Sequence, residues 1–277
     1  IGQWDKPIIK DPTLLEDADY VVMESTYGDR SHKENGDIAK QFEDVINSTI
    51  ERGGNVIIPT FAVERAQEII YYIGELRNDK RIPNVPVYLD SPMAVDVTKV
   101  FRKHRNEFDD EAWARIAEGD NPLHFDNLHM ARTTADSIAI NELNQPAIIM
   151  STSGMCTAGR IKHHLKRNVH RAESTILFVG YQAHGTLGRQ ILEGNKGEVR
   201  IHGRVRPLRC KVAQIYGFSG HGDREDLLRW LYNFKQPKRT FLTHGDEESA
   251  EALGKRIRSD KGWEVLIPHY DSTTDLS

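Results

Sequence analysis

Apolar runs and amphipathic stretches alternate along most of the chain. Short apolar runs predict buried strands, and apolar residues recurring every three or four positions predict helices. The predicted strands are Tyr20–Met23, Val56–Ile58, Val87–Leu89, Ala147–Met150, Thr175–Val179, Val212–Tyr216, Arg239–Leu242 and Trp263–Ile267. The predicted helices are Asp37–Arg52, Val63–Arg77, Ala94–His104, Ala158–Leu165, Gly185–Leu192, Arg224–Phe234 and Glu248–Ile257. This alternation favours a parallel α/β architecture.

Two stretches depart from the alternation. Residues 106–144 are polar and less regular, which predicts a mixed insertion. Residues 198–210 alternate in a β-like manner around Gly203 and Pro207. Elsewhere the boundaries are sharper: Asp37 is a suitable N-cap for the first helix, and Gly53-Gly54 ends it.

The composition is that of a globular protein with a core, with 38% hydrophobic and 28% charged residues over a length of 277. That length suits one large domain or two ordinary ones. The apolar runs are too short to span a bilayer. Cys156 and Cys210 are far apart, which argues against a disulfide framework and for a reducing cytoplasm. No export leader opens the chain at Ile1, although this residue is not an initiator methionine.

The formal net charge of −4 counts mildly against a nucleic-acid binder, since such proteins are often basic. Net charge is a coarse criterion, however, because a local basic cleft can lie on an acidic protein. A bound metal also adds positive charge that the sequence does not count.

Three segments share one design, an apolar strand that ends abruptly in small and polar residues. They are Val21–Gly28, Ile215–Asp223 and Phe241–Asp246. In open α/β sheets ligands bind beyond the carboxyl ends of the strands, which places Glu24, His221 and His244 where chemistry is expected. Histidine and glutamate bind metals and transfer protons near neutral pH. Each also has an ordinary explanation as a surface charge or turn residue, and Asp223 with Asp226 resembles a capping box.

Longer motifs decide between these explanations. ESTYGDR at 24–30, FSGHGD at 218–223 and LTHGDEE at 242–248 resemble motifs A, B and C of the β-CASP family of the metallo-β-lactamase superfamily. Further similar stretches occur in the family's order: IPTFAVERAQEII at 58–70, DSPMA at 90–94, STSGMCTAGRIKHHL at 151–165 and VGYQAHGTLGRQIL at 179–192. The resemblance covers nearly the whole chain. It is closest to the prokaryotic RNA-processing members and to the endonuclease of mRNA 3′-end cleavage, because a histidine at motif C goes with the RNA branch.

The resemblance implies a fold and a division into domains. A β-CASP α/β domain, a parallel sheet with flanking helices, is inserted in the C-terminal part of a metallo-β-lactamase αββα fold. The expected domains are residues 1–28 (metallo-β-lactamase, partial), 29–212 (β-CASP) and 213–277 (metallo-β-lactamase, C-terminal segment). The first and last should pack as one sheet in which Val212–Tyr216 lies with Tyr20–Met23 and Arg239–Leu242.

The resemblance also implies roles for three residues. His244 is expected to be a zinc ligand, and His221 to act as general acid towards the leaving oxygen of a phosphodiester. Glu24 is expected to hold His221, since a carboxylate favours the protonated imidazole ring.

The complete enzyme of this family binds two zinc ions, and most of the ligands have no counterpart in this sequence. The family's HxHxDH motif is absent, and the opening residues 1–7 resemble the stretch directly after the aspartate that bridges the two ions. The chain is therefore expected to begin just downstream of those ligands and to be inactive alone. His32, His163 and His164 are not expected to replace them, and the last two are expected at the surface.

Substrate contacts are expected from three loops that precede helices. Small residues there leave backbone N–H groups available for an anion. The candidates are Arg65, Ser151, Ser153, Gly154, His184, Gly185, Thr186 and Arg189. The alternative is that the loops are tight turns and that both arginines are solvated. Single-stranded RNA is the expected polymer, because a single strand can thread a narrow cleft.

Three functions are open at this point. The first is a zinc-dependent ribonuclease; the second is a non-catalytic RNA-binding or scaffold paralogue; the third is a metallohydrolase of small esters. Glu24, His221 and His244 argue against the second, and the β-CASP-like insertion argues against the third. The expected location is the cytoplasm without membrane contact. Self-association, as a homodimer or with a partner chain, is expected to cover apolar sheet surface.

Overall fold

A computed structural model of the chain describes residues 1–32, 37–194 and 197–276. The chain forms two compact units. Unit 1 consists of residues 1–6, 10–34 and 219–277, and unit 2 consists of residues 7–9 and 35–218. Within the described ranges, every helix is too short or too polar to cross a bilayer.

The strands and helices follow the predicted alternation closely. The strands are β1 (Tyr20–Glu24), β2 (Val56–Pro59), β3 (Val87–Asp90), β4 (Leu128–Ala131), β5 (Ile148–Ser151), β6 (Thr175–Phe178), β7 (Glu198–Ile201), β8 (Arg204–Pro207), β9 (Lys211–Gln214), β10 (Arg239–Thr243) and β11 (Val265–Leu266). The helices are α1 (Ile38–Glu51), α2 (Arg65–Asn78), α3 (Pro92–Lys103), α4 (Asp110–Ala117), α5 (Thr134–Ile140), α6 (Ile161–Asn168), α7 (Leu187–Leu192), α8 (Arg224–Leu231) and α9 (Glu247–Lys261), with a 3₁₀ turn at Arg105–Glu107.

Unit 2 is built on a six-stranded sheet in the order β4-β3-β5-β2-β6-β9, with every neighbouring pair parallel. Apolar clusters cover both of its faces. Because side chains alternate along a strand, Ile58 of β2 packs with Phe42 and Ile69 on one face, while Ile57 packs with Ile161 and Phe178 on the other. Burial on both faces explains why β2, β5 and β6 are apolar runs without a polar side.

The parallel α/β prediction is confirmed. Residues 106–144, predicted to be a mixed insertion, contain α4, the edge strand β4 and α5. One local prediction was wrong. The strand predicted at Val212–Tyr216 is β9, and it pairs with β6 in the sheet of unit 2 instead of lying with Tyr20–Met23. Unit 2 accordingly extends to residue 218.

Unit 1 contains a three-stranded parallel sheet in the order β1-β10-β11. Val21 and Met23 of β1 are buried against α8 and α9 through Leu227 and Leu253. Val22 points to the other face of the sheet, and 67% of its surface is exposed. The helices therefore cover one face of this sheet.

The predicted helix starts are confirmed where capping residues mark them. Asp37 accepts a hydrogen bond from the backbone N–H of Lys40 at 2.9 Å at the start of α1. Asp223 and Asp226 form the expected capping box at the start of α8. The latter cap also fixes the backbone that follows His221.

A buried polar cluster in unit 2 overturns the expectation that His164 lies at the surface. His163 is exposed, but the His164 side chain is fully buried, with Nε2 2.7 Å from Oδ2 of Asp90. Ser137 donates to the same carboxylate at 2.5 Å, and Arg160 donates to its other oxygen at 2.7 Å. Adjacent histidines on α6 thus have opposite environments because they project in different directions.

Candidate active site

Glu24 and His244 lie at the same edge of the unit 1 sheet. Glu24 is the last residue of β1, and the parallel register places it opposite Thr243, the last residue of β10. His244 follows directly with a left-handed φ of 48°, a conformation that costs energy for a residue with a side chain. A Cβ on Gly245 would lie 2.5 Å from Oγ of Ser25, so the turn after His244 requires glycine.

His221 reaches this edge from the loop before α8. Its Nδ1 lies 2.7 Å from Oε2 of Glu24, although the two residues are 197 positions apart. The loop is held by the hydrogen bond from the His221 N–H to Oγ of Ser219 at 3.1 Å and by the cap at Asp223. The imidazole ring and the carboxylate are therefore both held by the fold.

Thr26, a residue without a predicted role, contacts both histidines. Its Oγ1 donates to the carbonyl oxygen of His244 at 3.0 Å and lies 3.3 Å from Nδ1 of that ring. The same Oγ1 is 3.5 Å from Nδ1 of His221. The two imidazole rings stack with centroids 5.4 Å apart. The sequence feature that could have identified Thr26 is its hydroxyl group two residues after Glu24 in the ESTYGDR segment.

The environment of Glu24 favours the charged carboxylate. Burial raises the pKa of this carboxyl, but hydrogen bonds from the Ile1 amino group, Thr26 and His221 outweigh it and hold the pKa below its ordinary value. An ionised Glu24 accepts the Nδ1–H of His221, which leaves Nε2 as the ring nitrogen for other partners. The side chain of Glu24 is 10% exposed and that of His221 is 40% exposed. The imidazole ring of His221 is therefore accessible, while the carboxylate of Glu24 is covered.

These three residues also have the composition of a metal site. One ligand atom from each of Glu24, His221 and His244 lies within 4.8 Å of the others. In the described ranges this is the one group of three or more potential ligands that meets that criterion. Nitrogen and carboxylate donors suit zinc. The geometry thus allows two assignments, a Glu24–His221 pair beside the ligand His244, or three ligands of one ion.

His32 has a structural position in this site. Its Nε2 lies 3.1 Å from the carbonyl oxygen of His221, and its backbone N–H donates to Oδ2 of Asp223 at 2.8 Å. The ring packs edge-on against Tyr27 with centroids 4.8 Å apart. His32 therefore links the segment after β1 to the loop of His221.

Two predicted substrate-binding residues of unit 2 are engaged inside that unit. Arg65 is 8% exposed, and NH1 of its guanidinium donates to the carbonyl oxygen of Val179. Ser151 is fully buried, and its Oγ donates to the carbonyl oxygen of Asp90 at 2.8 Å. Both contacts stabilise the strand ends and disfavour the predicted contact of these two side chains with phosphate.

Arg189 and the Ser153 loop have partners of their own. Arg189 of α7 forms an ion pair with Glu193 at 2.6 Å, and its side chain is 28% exposed. Ser153 is half-buried and its Oγ lies 3.4 Å from the N–H of Ala158. A Cβ on Gly154 would lie 3.0 Å from the ring of Phe61, so a close packing contact explains this glycine.

The loop before α7 is more open. His184 and Gly185 are exposed. Thr186 caps α7, accepting a hydrogen bond from the N–H of Arg189 at 3.2 Å. Gly185 and Thr186 line a cleft of about 570 Å³ together with Lys162 of α6. Of the predicted substrate residues, these keep the surface that a ligand needs.

Comparisons with known proteins agree with these observations. Residues 66–191 match the family model of the Beta-Casp domain, and residues 205–268 match that of the Zn-dependent metallo-hydrolase RNA specificity domain. The chain is 39% identical over 270 residues to Ribonuclease TTHA0252 of Thermus thermophilus, covering 98% of the chain and 61% of the relative. It is 34% identical over 247 residues to the transcription termination factor FttA of Methanocaldococcus jannaschii, covering 86% of the chain and 38% of the relative. The RNase J-like protein of the same organism is 32% identical over 261 residues, with 93% and 58% covered. The chain thus spans less than two thirds of the length of each of these relatives.

Proposed function

The chain belongs to the β-CASP family of the metallo-β-lactamase superfamily. From that premise we propose that it is part of a zinc-dependent ribonuclease, which hydrolyses phosphodiester bonds of single-stranded RNA. The observation that carries the proposal is the contact between Nδ1 of His221 and Oε2 of Glu24, beside His244. An imidazole held by a buried carboxylate suits acid–base chemistry near neutral pH.

The proposed mechanism assigns one task to each residue. Glu24 accepts the Nδ1–H of His221 and stabilises the protonated ring. His221 then donates the proton on Nε2 to the oxygen that leaves the phosphate. Thr26 supports both rings through its hydroxyl, and His244 offers a ring nitrogen as a metal ligand.

Zinc fits the donor set at this edge of the sheet, since imidazole nitrogen and carboxylate oxygen are among its usual ligands. Zinc, when bound, supplies Lewis-acid stabilisation of the charge on a phosphate ester. His244 would hold it, and in the complete enzyme we propose two ions. Most ligands of such a pair have no counterpart among these 277 residues, so we propose that this chain alone is inactive.

A second candidate is a non-catalytic RNA-binding or scaffold protein of the same family. The observation that favours it is the size of the metal group: in the described part of the chain three potential ligands come together, which suffices for one ion but not for two. The presence of Glu24 and His221 in hydrogen-bonding geometry favours the catalytic proposal, because RNA binding alone does not need that pair.

We further propose a second copy of the chain as a partner and the cytoplasm as the location. Val22 is 67% exposed on the face of the unit 1 sheet that α8 and α9 leave open. This exposed apolar side chain on an uncovered sheet face is the observation that supports association. Sedimentation analysis of the parent chain and of Val22→Ser tests the first point: weaker association of the variant is expected, and equal association would contradict it.

The ribonuclease proposal is tested on the complete protein that the gene encodes. It should cleave labelled single-stranded RNA with zinc, and a chelator should stop the cleavage. Single-stranded DNA of the same sequence shows whether RNA is preferred. Metal-dependent binding of RNA without any cleavage would support the scaffold candidate instead.

A further inference from the structure

Positive charge is concentrated in one part of this acidic chain. Residues 160–211 contain 12 of its 37 lysines and arginines but only three of its 41 aspartates and glutamates. The formal net charge of −4 conceals this asymmetry. Such a distribution creates a local positive potential, which attracts anionic partners regardless of the sign of the whole molecule.

The fold of unit 2 gathers these charges on one surface. Helix α6 packs against β7, whose hairpin partner is β8. The rings of His163 on α6 and His202 in the hairpin lie 4.7 Å apart. Burial, followed by the positive charges of His163, Lys162, Lys166 and Arg206, lowers the pKa of His202.

We define the basic surface as Lys162, His163, Lys166, Arg200, His202, Arg204 and Arg206. Its charges are largely unneutralised. Across the described residues, no carboxylate lies within 4.0 Å of Lys162, Lys166, Arg200 or Arg204, whereas Arg189 nearby in sequence is paired with Glu193. Like charges held together without counterions repel one another, and a bound polyanion would relieve that repulsion.

A cleft adjoins the basic surface and gives it a place for a ligand. The polar residues that line this cleft of about 570 Å³ are Lys162, Arg200, Thr157, Thr186, Gln190 and Glu198. The two cations and the hydroxyl and amide groups are donors suited to phosphate and ribose oxygens, and Glu198 is the one carboxylate of the lining. Among the residues that the structure describes, no aromatic side chain lines this cleft. This favours contacts to the sugar-phosphate backbone of a nucleic acid over stacking on its bases.

We propose that the basic surface of α6 and the β7–β8 hairpin binds the phosphate backbone of RNA. It is carried by unit 2 alone and contains none of Glu24, His221 and His244. The proposal rests on the proposed function in one respect, the choice of RNA as the polyanion. The surface holds the substrate in a sequence-independent manner, while the chemistry belongs to unit 1.

The experiment measures binding without cleavage. The 277-residue chain is titrated in chelator against a fluorescent single-stranded RNA, and anisotropy gives the affinity at several salt concentrations. The test variant is Lys166→Gln/Arg204→Gln. The control is Lys80→Gln/Lys103→Gln, which removes two exposed positive charges of unit 2 outside the basic surface. Both variants change the net charge equally, so a nonspecific charge effect appears in both.

The test variant should bind RNA roughly tenfold more weakly at low salt. The slope of log affinity against log salt should fall in magnitude by about 1.4, which is two phosphate contacts at about 0.7 each. The control should retain the parent slope, and circular dichroism should show all three proteins folded. Equal slopes in both variants would overturn the proposal.

Two outcomes separate this inference from the proposed function. If the complete protein cleaves RNA while the test variant binds like the parent, the basic surface is refuted and the ribonuclease stands. If cleavage fails but the test variant alone loses RNA binding, the basic surface stands and the ribonuclease fails. Loss of binding to phosphatidylserine vesicles with unchanged RNA binding would identify a membrane surface as the partner and overturn the proposal.

Discussion

Nδ1 of His221 lies 2.7 Å from Oε2 of Glu24, which joins a loop before α8 to the end of β1 across 197 positions of sequence. The contact orients an accessible imidazole by means of a covered carboxylate. It connects the site to the fold, because β1 and the cap of α8 must both be in place before the two side chains meet.

The first prediction concerns proton transfer by His221. In the complete protein, His221→Ala should lower the turnover of RNA by about 10²–10⁴-fold, the usual contribution of a general acid, with zinc content nearly unchanged. Cleavage rates and metal analysis of the same preparation measure both. His104→Ala, an exposed histidine of unit 2, is the control. Loss of zinc with His221 would instead favour the three-ligand assignment, and unchanged turnover would remove His221 from the mechanism.

The second prediction concerns the pH dependence of the Glu24–His221 pair. Because the folded-state pKa of Glu24 is lowered, its stabilising contribution is complete above the ordinary glutamate pKa, about 4.3, and is lost as pH falls through the folded value. Glu24→Gln should therefore be less stable than the parent at pH 7 by about 1 kcal/mol, because it weakens the charged contacts of Glu24 with the Ile1 amino group and with the partly exposed His221. In urea titrations the difference should shrink as pH falls below about 4.3 and vanish below the lower, folded-state pKa. A difference that is constant with pH would contradict the pairing.

The third prediction concerns the buried cluster around Asp90. Asp90→Ala leaves His164 and Arg160 without their carboxylate, and removal of one partner from a buried ion pair costs about 3 kcal/mol or more. Urea unfolding measures the loss. Asp96→Ala removes the surface partner of Arg132 and should leave the midpoint unchanged. If Asp90→Ala does not accumulate in folded form, Asp90→Asn, which keeps the size of the side chain, takes its place. It should likewise be less stable than both the parent and Asp96→Ala.

The Asp90 cluster also predicts how the free energy of unfolding changes at acid pH. Burial raises the pKa of Asp90, but hydrogen bonds from His164, Ser137 and Arg160 outweigh it and lower the pKa. The stabilisation is therefore complete above the ordinary aspartate pKa, about 3.9, and is lost only as pH falls below it. Equal stability of parent and Asp90→Asn at pH 7 would contradict this account.

The fourth prediction concerns metal binding by the chain itself. A catalytic zinc site usually needs about three protein ligands, and the described residues bring together Glu24, His221 and His244 only. The purified 277-residue chain should therefore bind well under two zinc ions and should not cleave RNA. His244→Ala should lose whatever zinc remains. Two ions per chain with zinc-dependent cleavage would contradict both expectations.

Local signals alone predicted much of the secondary structure. Asp37 and Gly53 bound a helix whose apolar residues recur on one face, and α1 runs from residue 38 to residue 51 as expected. Glu24, His221 and His244 were predicted to converge because parallel strands end at one edge of a sheet. The register of β1 with β10 explains this for Glu24 and His244, whereas His221 arrives from the loop before α8. Helix boundaries depend on residues a few positions apart, and the convergence of strand ends follows from a general property of parallel sheets. Both can therefore be predicted from the sequence.

Which partner each element meets was decided by tertiary structure. The segment at β9 has the pattern of a strand whether it pairs with β6 or with β1, because its own residues do not specify which sheet it joins. In the fold it is a partly exposed edge strand beside β6. His164 looked like a surface residue until Asp90 and Ser137 met it inside unit 2. Arg65 likewise differs from a solvated helix arginine through long-range contacts, among them its hydrogen bond to the carbonyl oxygen of Val179, 114 positions away. The burial of a polar side chain depends on long-range partners that compensate its lost hydration, and those partners exist only once the chain has folded.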